Sequence, residues 1–187
     1  GGVVNRSIDD TLKTIVVSDT MKVVKFDLDK RGDVAYVTKS GEVAIIDESG
    51  EPRLMAGSVS SPTEIIVSNE GGFIAVGDNE GLIKIWDTGS GELLTTLEGQ
   101  SARISDLKFS SDDSMLASGS FDGSVMVWRT NAFNDQPLVL RDHDTWIYAV
   151  NFSPKGGVLF AGARDGEIKP WFTSTEAMAE EICPKMK

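Results

Sequence analysis

Short runs of alternating apolar and polar residues recur along the chain, and turn-forming clusters separate them. Leu107-Lys108-Phe109 and Val150-Asn151-Phe152 alternate with a period of two, which predicts half-buried strands. A polar turn follows each: Ser110-Ser111-Asp112-Asp113-Ser114 in one case, Ser153-Pro154-Lys155-Gly156-Gly157 in the other. A second strand is predicted over Met115-Leu116-Ala117-Ser118-Gly119-Ser120, whose small residues would let neighbouring sheets approach closely. Phe121-Asp122-Gly123 then reverses the chain, with glycine free to take positive φ. A third strand, Val125-Met126-Val127-Trp128, ends on a large aromatic. Helix-period stretches are absent until the tail, so the pattern is all-β.

The same order of features occurs four times. Gly41-Glu42-Val43-Ala44-Ile45-Ile46-Asp47 matches Gly81-Leu82-Ile83-Lys84-Ile85-Trp86-Asp87. Gly123-Ser124-Val125-Met126-Val127-Trp128-Arg129 and Gly166-Glu167-Ile168-Lys169-Pro170-Trp171-Phe172 continue the series. The leading glycines are 40, 42 and 43 residues apart. A fixed period of this size marks a repeat architecture and suits a four-stranded propeller blade.

Residues 116–128, Leu-Ala-Ser-Gly-Ser-Phe-Asp-Gly-Ser-Val-Met-Val-Trp, resemble a WD40 repeat. So does His143, followed by Val150-Asn151-Phe152-Ser153-Pro154, Arg164-Asp165-Gly166 and Trp171. The resemblance covers residues 20–171 and implies an all-β, WD40-type β-propeller with four blades in this chain. It also implies a hydrogen-bonded set in each blade: a His before the first strand, a Ser in the second, an Asp in the turn and a Trp in the third. The third copy has Ser118, Asp122 and Trp128, with Gln100 in the His place. The fourth has His143, Asp165 and Trp171, with Ala161 for the Ser. The second keeps Trp86 but has Val76 and Glu80, and the first has Ile46 and Ser40. The resemblance thus gives His143, Ser118, Asp122, Trp128, Asp165, Trp171 and Trp86 structural roles. The departures are expected to loosen single blades rather than change the fold. They resemble the looser repeats of bacterial WD40 proteins.

The expected division is an N-terminal extension over 1–12, four blades over 13–172 and a helical tail over 173–187. The β-branched run at 13–17 reads as an outer strand that closes a ring, because in this family the outer strand of one blade precedes the inner strand of the next. Thr175 is a candidate N-cap for the tail helix, and Pro184 would stop it. Four blades make a half-propeller, or part of a seven- or eight-bladed ring. A homodimer completing an eight-bladed ring with C2 symmetry is one expectation. The missing half of a longer chain is the other. Gly1-Gly2 reads as an added remnant, so the native N-terminus would be absent.

Composition narrows the function. The 187 residues hold 18 Lys+Arg against 29 Asp+Glu, a net charge of −11. This argues against nucleic acid and against an anionic membrane surface as partner. No apolar run nears the roughly 18 residues that a membrane-spanning helix needs, so no membrane insertion is expected. A cytoplasmic location follows as the default expectation. Cys183 and His143 are single, which removes an intramolecular disulfide and cysteine- or histidine-rich metal sites. No cofactor and no metal is expected. Asp27-Leu28-Asp29-Lys30-Arg31-Gly32-Asp33 faintly resembles a calcium loop but has Thr38 where the closing Glu belongs, and it reads as a solvated turn. Asn5-Arg6-Ser7 is a glycosylation sequon in form only.

Trp146 stands apart from the other tryptophans, since it lies just before an inner strand. With Ile147 and Val150 pointing into the blade, Trp146 and Tyr148 would face the loop end of the ring. Their expected equivalents are Thr20 and Lys22, Ser61 and Thr63, and Arg103 and Ser105. Lys39, Asn79, Phe121 and Arg164 should rim the same face. Trp, Tyr and Arg dominate binding hot spots, so Trp146, Tyr148, Arg164, Phe121 and Arg103 form the candidate partner-binding patch. The resemblance implies a non-enzymatic scaffold that binds a protein or peptide on this face. The alternative is a propeller enzyme or carbohydrate-binding module with a site at the channel mouth.

Overall fold

The computed structural model describes residues 22–174 in full, together with the backbone of Val3–Ile8 and Thr11–Val16. These last two are strands β1 and β2, which pair with each other. Four antiparallel sheets follow in chain order. Blade 1 holds β3 (Val23–Leu28), β4 (Val34–Thr38), β5 (Val43–Ile46) and β6 (Pro52–Leu54). Blade 2 holds β7 (Pro62–Val67), β8 (Phe73–Asp78), β9 (Ile83–Asp87) and β10 (Leu93–Leu97). Blade 3 holds β11 (Ile104–Phe109), β12 (Met115–Ser120), β13 (Val125–Arg129) and β14 (Leu138–Leu140). Blade 4 holds β15 (Ile147–Phe152), β16 (Val158–Ala163) and β17 (Ile168–Phe172), three strands among the described residues.

The fourfold pattern is therefore four up-and-down sheets, each built in strand order. The run at 13–17 falls largely in β2, which starts at Thr11 and has β1 as its partner, while Val17 lies outside the described residues. The tail helix over 175–187 also lies outside them.

Apolar residues at alternate positions place one core between each pair of blades. Ala35, Val37, Val43 and Ile45 of blade 1 pack on Ile65, Val67, Ile74, Val76 and Trp86 of blade 2. Ile83, Ile85 and Leu97 pack on Ile104, Leu107, Leu116 and Trp128 of the next seam. Ala117, Val125 and Val127 pack on Ile147, Val150 and Leu159 of the last. Each fully buried aliphatic contributes about 1.5–3 kcal/mol over its exposed state, so the seams hold the array together.

Two glycines set how closely blades approach. A Cβ on Gly77 would sit 2.6 Å from Ile104 Cγ2, and one on Gly119 would sit 2.6 Å from Ile147 Cγ2. The small residues of the second strands thus admit the first inner residue of the following blade. Away from the loop face, Asp113 ties blades 2 and 3. Its carboxylate accepts the backbone N–H of Asn69 and of Glu70, both at 2.8 Å, and the Asn69 amide at 2.7 Å.

All four inner strands carry the same irregularity. The pairing register shifts after Val23, Pro62, Ile104 and Ile147. Such bulges twist a strand and re-aim the extra side chain. The residues re-aimed are Val24, Thr63, Ser105 and Tyr148. Thr63 and Ser105 donate their hydroxyls to the backbone carbonyls of Ile104 and Ile147 in the next blade, at 2.7 and 2.6 Å. Tyr148 holds the same position in blade 4.

Candidate functional site

The loop face is built by one backbone contact repeated in every blade. The first residue of each second-to-third-strand turn donates its N–H to the carbonyl just before the inner strand. The pairs are Lys39 to Lys22, Asn79 to Ser61, Phe121 to Arg103 and Arg164 to Trp146, at 2.7–3.1 Å. A turn glycine follows each, and Gly123 at φ +84 or Gly41 at φ +88 takes a conformation that L side chains rarely adopt. The contact corrects one register expectation. Lys22 and Val24, not Thr20 and Lys22, correspond to Trp146 and Tyr148. An offset of two keeps every strand side chain on its face, so alternation alone does not detect it.

All five residues of the expected patch come together at the junction of blades 3 and 4. The Phe121 and Trp146 rings stack in parallel, 4.7 Å between centroids and 8° between planes. Tyr148 meets Phe121 edge-on at 5.8 Å. The Arg164 guanidinium lies 4.6 Å from the Trp146 ring centre, and that of Arg103 lies 5.7 Å from Phe121. Stacked rings and cations over ring faces each contribute roughly 0.5–1.5 kcal/mol at such sites. The cluster is ordered yet open, with Trp146 41% and Tyr148 48% exposed. Arg103 Nε is buried without a hydrogen-bond partner.

The residues expected to be structural divide by blade. In blade 3, Ser118 donates its hydroxyl to Gln100 Oε1 at 2.6 Å, and Gln100 Nε2 donates to the Ser124 carbonyl at 3.0 Å. Ser124 Oγ donates to Asp122 Oδ1 at 2.6 Å, and the Ser101 N–H donates to Asp122 Oδ2 at 2.8 Å. Burial pushes the Asp122 carboxyl up, but these donors together outweigh it and hold the group below the usual aspartate range. Gln100 thus links Ser118 to Ser124 and Asp122 from the place where the repeat pattern has a histidine. It precedes Arg103 by three residues, as His143 precedes Trp146, so the spacing in the sequence already marked it.

Blade 4 lacks that closure. His143 is 7% exposed and packs edge-on against Trp171 at 5.6 Å, with both ring nitrogens unpartnered. Ala161 offers it no hydroxyl, and Asp165 instead accepts the Glu167 N–H at 3.0 Å. Trp128 and Trp86 are buried, Trp171 is half-buried, and Trp86 Nε1 donates to the Ala56 carbonyl at 2.7 Å.

Two clusters could hold a cation by residue type. Ligand atoms of His143, Asp165 and Glu167 lie within 4.8 Å of one another, but the Lys169 ammonium is already 3.4 Å from Glu167. In the turn at 27–33, Arg31 bridges Asp29 and Asp33 at 2.9 and 3.2 Å, so a guanidinium fills the centre. A cleft of about 340 Å³ lies beside Trp128, Leu138 and Thr173, on outer elements of blades 3 and 4. No helix among the described residues is long and apolar enough to cross a membrane.

The family model for the WD domain, G-beta repeat, matches residues 91–129 and 135–169. The human WD repeat and SOCS box-containing protein 1 is 39% identical over 99 residues, which is 52% of this chain and 24% of that protein. Nuclear distribution protein nudF of Aspergillus flavus is 34% identical over 104 residues, 54% of this chain and 23% of that protein. The chain thus spans about a quarter of the length of these relatives. A chain in the crystal structure of a mitotic checkpoint complex superposes with a TM-score of 0.69 at 24% identity, covering 84% of this chain and 48% of that one. The computationally designed Ika4 protein gives 0.68 at 26% identity, covering 84% and 94%. Two matched repeats, WD-repeat relatives and propeller-type structural neighbours together show that this chain carries WD40-type repeats on a propeller-type fold.

Proposed function

We propose that this chain is a non-catalytic interaction module that binds a protein or peptide on its loop face, at the junction of blades 3 and 4. The observation that carries this is the open aromatic–guanidinium cluster of Trp146, Phe121, Tyr148, Arg164 and Arg103. Rigid aromatics and arginines in one cluster lose little side-chain entropy on binding and can anchor a partner. The WD-repeat relatives, and the superposition on a chain from a multiprotein complex, support the same reading. Peptides selected from a displayed random library should lose binding to the double variant Trp146→Ala/Arg164→Ala while its circular dichroism stays native. Binders that recognise the variant equally well would place the site elsewhere.

We also infer that further blades complete the array. Within the inner three strands, exposed large apolar side chains occur only in the two end sheets. They are Val24, Phe26 and Leu28 in β3 of blade 1, and Tyr148, Phe160 and Ile168 in blade 4. Such faces suit a neighbouring blade, from a second copy or from the rest of a longer chain. Light scattering on the 187-residue chain separates these sources: a dimer supports the second copy, a stable folded monomer the longer chain.

A further inference from the structure

The backbone contact repeated in each blade defines two equivalent positions per blade on the loop face, eight in all. They hold Lys22 and Lys39 in blade 1, Ser61 and Asn79 in blade 2, Arg103 and Phe121 in blade 3, and Trp146 and Arg164 in blade 4. Half are cationic, two are aromatic and none is acidic, although acids outnumber bases by 29 to 18 in the chain. Two of the cations thus belong to the aromatic cluster and two to blade 1, with the neutral Ser61 and Asn79 of blade 2 between them.

These cations are also unspent. Among the described residues, Lys25, Lys30, Arg31, Lys108 and Lys169 each have a carboxylate within 4.0 Å. Lys22, Lys39, Arg103 and Arg164 have none, as is also true of Arg53, Lys84, Arg129, Arg141 and Lys155 elsewhere, and Arg103 Nε is buried without an acceptor. Neither Asp122 nor Asp165 of the flanking turns forms an ion pair with them. Asp122 is occupied by Ser101 and Ser124, and Asp165 by the Glu167 N–H.

We infer that the loop face recognises an extended acidic peptide, with an apolar side chain on Trp146 and Tyr148 and with anionic groups on Arg103, Arg164, Lys22 and Lys39. This rests on the loop-face reading above and adds the charge of the ligand. Guanidinium forks suit carboxylate or phosphate groups, and the flanking rings give an apolar neighbour its contact. A peptide fits better than a nucleic acid. Four cations on a chain of net charge −11 provide little of the basic field that a run of phosphates requires.

The test selects peptides on the 187-residue chain from a displayed random linear library and measures them by fluorescence anisotropy. Selected sequences should be rich in Asp and Glu beside Leu, Phe or Trp. Replacing their Glu by Gln should weaken binding about tenfold or more, as should the surface variant Lys22→Glu/Lys39→Glu, with binding falling as salt rises. Phosphoserine in place of Glu distinguishes the anion: a gain points to phosphate, a loss to carboxylate. Neutral or basic selected peptides that still require Trp146 would overturn the acidic specificity and leave the loop-face reading standing. A single-stranded oligonucleotide bound more tightly than the selected peptides would overturn the peptide assignment. Selected peptides indifferent to Trp146→Ala, or none selected at all, would overturn both readings.

Discussion

Blades 3 and 4 descend from one repeat pattern, yet they meet the problem of buried polar groups in opposite ways. Blade 3 has Gln100 where the repeat pattern places a histidine, and Gln100 bonds to Ser118 and to Ser124, whose hydroxyl carries the chain on to Asp122. Blade 4 has kept His143 and lost the serine, and its imidazole is buried with neither nitrogen partnered. Blade 3 is also enclosed by blades 2 and 4, whereas blade 4 has three described strands and a half-buried Trp171. The lesson is that matching the family residue by residue is a poor measure of how well a blade is held. What counts is whether each buried donor and acceptor finds a partner.

The largest expected contrast comes from the tryptophans that close the two third strands. Trp128→Ala removes a buried ring at a seam and should cost about 3–5 kcal/mol in urea unfolding. Trp171→Ala should cost less than half of that, and equal costs would mean that blade 4 is as enclosed as blade 3. The glycines probe the seams next. Gly119→Ala pushes a methyl into Ile147 and should destabilise by about 1–3 kcal/mol. Gly162→Ala meets only Ile168 Cγ1 at 3.9 Å and should lie within about 0.5 kcal/mol of the parent.

The polar sets give a smaller effect of opposite sign in the two blades. Gln100→Leu strands the Ser118 hydroxyl and the Ser124 carbonyl, at a cost of about 1–3 kcal/mol. Ala161→Ser supplies blade 4 with the hydroxyl it lacks beside His143. It should raise stability by about 0.5–1.5 kcal/mol, and a loss would mean that the site has no room for the oxygen.

The smallest contrast is in pH dependence. Asp122 is held below the ordinary aspartate value, so its contribution is present above that value and is lost as pH falls through the folded one. Asp106, whose carboxylate accepts the Val150 N–H at 2.9 Å, is shifted the other way, chiefly by burial. Its contribution is complete below the ordinary value and is lost as pH rises through the raised one. Stability profiles of Asp122→Asn and Asp106→Asn should therefore flatten on opposite sides of the ordinary aspartate value. Flattening on the same side would contradict the assigned environments.

Much of this was legible along the chain. The glycine spacing located four sheets, tryptophans marked the third strand in three of them, and Trp146, Tyr148, Phe121, Arg103 and Arg164 already pointed to one face. The pairing of Lys22 with Lys39 was not legible, because a shift of two residues preserves strand alternation and only the backbone contact fixes the register. Gln100 was legible only as the residue in the histidine place, and its bonds to Ser118 and Ser124 were not, since they depend on strands brought beside it by the fold.

The sequence by itself determined the repeat, the strand order within each sheet and the faces of its side chains, because alternation, turn glycines and a period near forty are local properties. Tertiary structure decided which polar groups are satisfied, how closely the blades approach at Gly77 and Gly119, and how the rings of Phe121 and Trp146 come to lie parallel beneath a guanidinium. These depend on residues some twenty to forty-five positions apart, whose meeting is set by packing between blades rather than by any local preference.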